Sequence, residues 1–274
     1  GIYYAVLGLG IFFCSIYMAF SDFGKILLGK SGEKKRYSSL RWGMMIFTST
    51  MAADILFYSL CEWALYANEP YIEELGGIQK WASTYPLFHW GPIVWSMYIG
   101  IWGKLIDLVA IFALIAGTAT TFSLATPLLS SALCYVFQWQ KNSKITVLIL
   151  LVIAAIYTVT VWFGMKGVSR LSASCSYLFL ALLAYVLLGG GECTYILETG
   201  FSAMGNLVQN FMGMATWMDP LRTTSFPQNW TIYYWAYWMV WCVATPFFIG
   251  KISKGRTIKE TVLGGYAWGL LGTF

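Results

Sequence analysis

Charge is the first thing this sequence lacks. Only 11% of its 274 residues are Asp, Glu, Lys or Arg, against about 25% in a soluble domain. With 58% of residues hydrophobic and a mean hydropathy of +0.65, that deficit excludes a solvated domain and calls for an integral membrane protein. Histidine occurs once, as His89. No carboxylate cluster accompanies it, so a metal site is not expected. The six cysteines, Cys14, Cys61, Cys134, Cys175, Cys193 and Cys242, form no CxxC or CxxH pair. They are expected to be small core residues. There is no glycine-rich phosphate loop and no GxSxG, so the common enzyme signatures are absent. No cofactor is called for, and nothing points to nucleic acid. No linker or low-complexity tail divides the chain, which reads as one transmembrane domain. No basic stretch precedes Ile2, so no signal peptide is expected. The chain opens in one apolar run and stops in another, and it is expected to be a fragment, incomplete at both ends.

What is present is a series of apolar runs. A spanning helix needs roughly 20 such residues. The runs are 2–20, 42–66, 85–103, 105–126, 145–163, 171–190, 230–250 and 261–274. The stretch 191–229 is too polar to span and predicts an amphipathic surface helix. Positive charge sets orientation. Loop 21–41 carries Lys25, Lys30, Lys34, Lys35, Arg36 and Arg41. Loop 164–170 carries Lys166 and Arg170, and loop 251–260 carries Lys251, Lys254, Arg256 and Lys259. With these on the cytoplasmic side, 67–84, 134–144 and 191–229 face outward, and with them the acidic tract Glu69, Glu73, Glu74. One place resists. Runs 85–103 and 105–126 should lie antiparallel, yet no loop joins them at Trp102–Lys104. A missing segment near 100/101 is expected.

TIYYWAYWMVW at 231–241 holds rings at Tyr233, Tyr234, Trp235, Tyr237, Trp238 and Trp241. Tyr234, Tyr237, Trp238 and Trp241 share one face of a helix. An interfacial belt accounts for Trp230, Tyr233 and Tyr234. Trp238 and Trp241 lie too deep for it and are left to packing or to a cage for a cation. Pro246 lacks an N–H and clashes with the carbonyl of Cys242, so this helix should kink or open there. FHWGPIVWSMY at 88–98 places Trp90, Trp95 and Tyr98 within about 140° of a second helix. His89 beside them reads as a capping or hydrogen-bonding histidine rather than a proton carrier. Asp54 sits near the middle of run 42–66, where a carboxylate costs at least about 2.5 kcal/mol. It is a candidate to exchange a proton as its surroundings turn from wet to dry. Its alternative is a structural bond to Ser or Thr. Glu62 and Asp107, nearer helix ends, read as solvated or capping groups.

FPQNWTIYYWAYWMVW…FIGKISKGRTIKE, spanning 226–260, resembles the signature of the betaine/choline/carnitine transporter family, FPxxWTxFYWAWWxxW…xARISRGRTxRE. FHWGPIVWSMY is similar to that family's other aromatic stretch. IDLVAIFALIAGTATTFSLATPL at 106–128 and GMKGVSRLS at 164–172 also fit. The resemblance covers nearly the whole chain in order. It implies an all-α, leucine-transporter-like bundle of two inverted five-helix repeats, here truncated to the first repeat, beginning with 42–66, and the start of the second, beginning with 230–250. It implies a secondary transporter of choline, glycine betaine or carnitine in the plasma (inner) membrane, and a homotrimer. By position, Trp90, Trp95 and Tyr98 match the family's box residues. Trp238 matches the central tryptophan opposite, and Trp241 a ring on the cytoplasmic path. Tyr237 replaces the first Trp of the usual pair.

Such a box suits the ligand. A quaternary ammonium donates no strong hydrogen bond and is held by ring faces, each contact worth about 0.5–2 kcal/mol. The usual SPFVG becomes CVATP at 242–246, and the GMGIG of sodium-coupled members becomes TMAAD at 50–54. Asp54 stands where proton-coupled choline-type members resemble this chain. Proton coupling through Asp54 is therefore favoured, with sodium symport and substrate/product exchange as alternatives. A non-transporting membrane receptor for the same ligand is the alternative of another class.

Overall fold

Apolar runs free of proline become long helices, and proline or glycine punctuation divides the others. The computed structural model describes residues 1–49, 58–59, 61–99, 122, 125–242 and 244–274. Its helices are α1 (Ile2–Phe20), α2 (Ser39–Phe47), α3 (Glu62–Ala67), α4 (Pro70–Glu74), α5 (Ile78–His89) and α6 (Pro92–Ile99). They continue as α7 (Ala125–Val136), α8 (Ser143–Trp162), α9 (Gly164–Gly189), α10 (Cys193–Thr216), α11 (Ile232–Met239), α12 (Thr245–Ile252) and α13 (Ile258–Thr273). Among the described residues the only β pairing is an isolated antiparallel bridge, Leu27 to Thr257. Of these helices, α1, α8 and α9 are long and apolar enough to cross a membrane.

Three boundaries differ from the sequence reading. The expected loop 164–170 is the first part of α9. Gly164, at φ +61°, reverses the chain directly after α8, a conformation that favours a residue without Cβ. Ser169 and Ser172 on that turn are buried, so helix rather than loop suits the segment. The expected outer loop 67–84 contains α4 and the start of α5, because Pro70 sits in the first turn of a helix, where a missing N–H costs nothing. Run 85–103 is not one helix. It divides between α5 and α6 at Gly91-Pro92, a dipeptide that punctuates chains.

Two readings are matched by the coordinates. The segment 193–216 is helical, packs chiefly on α5 and leaves Phe201 and Val208 exposed. Run 230–250 opens between α11 and α12, with Pro246 in the first turn of α12. The cysteines depart from expectation. None lies in a disulfide, yet among them only Cys134 is buried, and Cys14 and Cys175 are exposed. An outward position on an apolar helix meets lipid, which suits a thiol as well as a core does.

The central layer is α6, flanked by α1, α11, α12 and α13. Every residue from Ile93 to Ile99 is buried. The two basic loops meet at one end. Leu28 N donates to Arg256 O at 2.8 Å, and Gly255 N donates to Leu28 O at 2.8 Å. Lys35 pairs with Glu260 at 2.7 Å. The Arg256 guanidinium lies 4.2 Å from the Trp42 ring centroid, and the Trp42 indole donates to Ser253 Oγ at 2.9 Å. Segments assigned outward also touch each other: the Trp230 indole donates to Glu69 at 2.7 Å, and Tyr71 stacks on Trp217 at 3.9 Å.

Candidate functional site

Two interrupted helices bring the rings together. Trp90 caps α5, and α6 restarts at Pro92 and carries Trp95 and Tyr98. α11 carries Tyr234, Tyr237 and Trp238 and packs on α6. Trp90 meets Trp238 edge to face at 5.0 Å and 61°, and Tyr98 meets Trp238 at 6.0 Å and 80°. Tyr237 meets Trp238 at 4.7 Å and 76°. Trp90, Tyr98 and Trp238 are buried, while Tyr237 is half-buried. The favourable edge-to-face geometry is met by the rings themselves. A cation needs a ring face within about 6 Å of its charge, and the space between Trp90 and Trp238 is taken up by the two rings themselves.

Two of the named rings stand apart. Trp95 touches Tyr98 at 5.6 Å and 79° and reaches Trp238 through it. Its indole lies on α13, where a Cβ at Gly269 would come within 2.3 Å of the ring, and its Nε1 donates to Thr273 Oγ1 at 3.0 Å. Trp241 follows the end of α11, is half-buried and makes no ring contact among the described residues. It packs against the core one residue past the C-cap of α11, and its amide bonds to Trp238 O at 3.0 Å. Trp90 does not share one continuous helix with Trp95 and Tyr98, for the Gly91-Pro92 break intervenes. Asp54, the expected coupling residue, and Asp107 lie outside the described residues.

A group passed over in the sequence sits beside the rings. Glu62 is 2% exposed, not solvated. Its Oε2 accepts from Trp90 Nε1 at 2.8 Å. Its Oε1 accepts from the Tyr66 hydroxyl at 3.3 Å and from the Tyr234 hydroxyl. Tyr234 is therefore no belt residue; its phenol points inward and donates to a buried carboxylate. Tyr66 Oη lies 2.5 Å from His89 Nδ1, and His89 Nε2 lies 2.8 Å from Thr231 Oγ1. Both ring nitrogens of His89 are thus engaged, bridging Tyr66 and Thr231. His89, stacked on Tyr234 at 5.1 Å and 15°, is the hydrogen-bonding histidine expected. The signal for Glu62 was present: Glu62 and Tyr66 stand four residues apart, on one face of any helix. A small pocket lined by Tyr58, Ser59, Glu62, Pro86, Leu87, Trp90 and Thr273 opens beside this carboxylate.

Thr231 is delivered by a π turn over Pro227–Thr231, and that turn by a loop built on Asp219. Its carboxylate accepts from the amides of Ser225 at 2.8 Å, Thr224 at 3.0 Å and Thr223 at 3.0 Å. Desolvation pushes this carboxyl up, but the amides of Ser225, Thr224 and Thr223 together outweigh it and hold it at about 2. Among the described residues no group of three or more His, Cys, Asp or Glu gathers that could hold a metal ion.

A family model described as "BCCT, betaine/carnitine/choline family transporter" matches residues 1–101 and 99–274. A probable glycine betaine transporter of Desulfitobacterium hafniense (strain Y51) is 28% identical over 94% of this chain and 58% of its own length. The uncharacterized transporter YeaV of Escherichia coli (strain K12) is 27% identical over 93% of this chain and 59% of its own. The glycine betaine transporter OpuD of Bacillus subtilis (strain 168) is 27% identical over 96% and 58%. The chain thus spans somewhat more than half the length of these relatives.

Proposed function

The chain belongs to the betaine/carnitine/choline transporter family, and from that premise we propose that the protein is a secondary active transporter of a quaternary ammonium compound: choline, glycine betaine or carnitine. The observation that carries this reading is the meeting of Trp90 and Tyr98 with Trp238 across two separate interrupted helices. Two ring sets on elements that can move relative to one another can part to take a methylated cation between their faces and close behind it, as alternating access requires. Trp95 backs Tyr98, Tyr237 flanks Trp238, and Trp241 lies on the path beyond. The bundle is the inverted-repeat kind, in the plasma membrane, with a homotrimer as its assembly.

Two family matches that meet at 99–101 support the reading of one transporter domain from which a segment near 100/101 is missing. Asp54 is the proposed coupling residue and the proton the proposed driving ion. What supports this is TMAAD standing in place of the glycine-rich stretch of sodium-coupled relatives.

The test is uptake of radiolabelled choline, betaine and carnitine by the full-length protein in proteoliposomes, under a proton or a sodium gradient, for wild type and Asp54→Gly. Proton-driven uptake of one compound, lost in Asp54→Gly, is expected. Uptake that ignores both gradients but rises with substrate loaded inside makes the protein an exchanger. Binding without any counterflow makes it a receptor.

A further inference from the structure

The Glu62 cluster has a use that the ring cage alone does not supply. A tryptophan that offers its face to a cation must not spin or slide when its partner ring leaves. Trp90 is such a residue: its neighbour across the cluster, Trp238, touches it only ring to ring. We propose that Glu62 is a positioning residue for the ring cluster, holding the indole of Trp90 and the phenol of Tyr234 from one carboxylate so that the cage face of Trp90 stays oriented while Trp238 moves. This rests on the reading of the rings as a cation cage.

The geometry makes the case. The carboxylate receives three donors from three elements: Tyr66 on α3, Trp90 at the end of α5 and Tyr234 on α11. No Lys or Arg pairs with it among the described residues, so neutral donors alone satisfy it. A buried carboxylate is tolerated only when its lone pairs are filled; hence removing any one donor leaves charge unsatisfied, and the three are held as a unit. Behind them His89 braces Tyr66, and Thr231 braces His89. That chain reaches the π turn that starts α11. The carboxylate thus holds Trp90 at its Nε1, while Trp238 meets the same indole only as a ring. It also ties α3 to the outer part of α11, while Trp238, one turn further along α11, has no bond to Glu62.

The test uses the full-length protein, wild type and Glu62→Gln, with two readings. The first is the indole N–H band of Trp90 by ultraviolet resonance Raman, taken as the difference from Trp90→Phe. The second is the KM and Vmax of choline, betaine and carnitine uptake. The expected result is a weakened Trp90 hydrogen bond, with KM raised about tenfold and Vmax held within about twofold, since a bond to a charged acceptor is traded for one to a neutral amide. An unchanged band, or KM and Vmax unchanged, overturns the proposal. If Glu62→Gln does not fold, Trp90→Phe, Tyr234→Phe and their double variant replace it. Coupling through a shared carboxylate makes their effects on KM non-additive, and additive effects overturn it. Should wild type take up none of the three compounds, the cage reading fails, while the Raman difference still decides whether Glu62 holds Trp90.

Discussion

The two sides of the ring cluster are built by different forces. On one side Trp90, Tyr234, Tyr66, His89 and Thr231 are joined by directed hydrogen bonds around Glu62. On the other, Trp238 is 1% exposed, and its Nε1 finds no hydrogen-bond partner among the described residues; the ring is held by the edges and faces of Trp90, Tyr98 and Tyr237. Hydrogen bonds to a buried charge resist displacement, because a lost partner leaves an uncompensated group. Dispersion contacts are numerous but undirected, and another apolar or cationic surface can replace them. The contrast teaches which side of the cluster is held by directed bonds and which by packing alone.

Three perturbations sharpen that contrast. The largest effect is expected from Trp238→Ala. Deleting a buried tryptophan costs about 3–5 kcal/mol, so the melting temperature in detergent should fall and ligand binding should vanish, whereas Trp238→Phe should keep both in part. If Trp238→Ala left stability unchanged, packing would not be what holds that side. Next is Gly269→Ala. Its Cβ would lie 2.3 Å from the Trp95 ring, and overpacking costs about 1–3 kcal/mol. A thermal-shift assay should show a smaller loss than Trp238→Ala, together with altered affinity relayed through Tyr98. The smallest effect concerns the polar side alone. The Asp219 carboxyl is held at about 2 against its ordinary 3.8. A lowered value means a contribution fully present above about pH 4 and lost as pH falls through about 2. Hydrogen exchange corrected for intrinsic rates should show the amides of Thr223, Thr224 and Ser225 protected at pH 5 and progressively less so below pH 4. Asp219→Asn should show the weaker protection at every pH.

Much of the architecture was legible because membrane helices obey a short list of rules. Runs of some 20 apolar residues gave α1 and α8 nearly to the residue, and the proline rule placed the opening before Pro246. The charge rule put loops 21–41 and 251–260 on one side, where Gly255 and Leu28 are indeed bonded. The misses have equally plain causes. Hydropathy averages over a window, so it merged α5 and α6 although Gly91-Pro92 marked the break. It also read 164–170 as a loop, because charged residues lower the average even where the backbone stays helical. Glu62 and Tyr234 were assigned to a solvated end and an interfacial belt from depth alone. Depth gives no azimuth, and only the partner across the bundle decides whether a polar ring points to water or to a carboxylate.

The sequence by itself determined the class of molecule, many of its helices and the two stretches in which the rings are concentrated, because composition, run length and residue type act locally. Which rings touch was a matter for the tertiary structure. So was the joining of Glu62, Trp90 and Tyr234, which lie 28 and 172 residues from that carboxylate in the chain. Contacts between elements so far apart depend on how helices pack, which no local pattern of residues specifies.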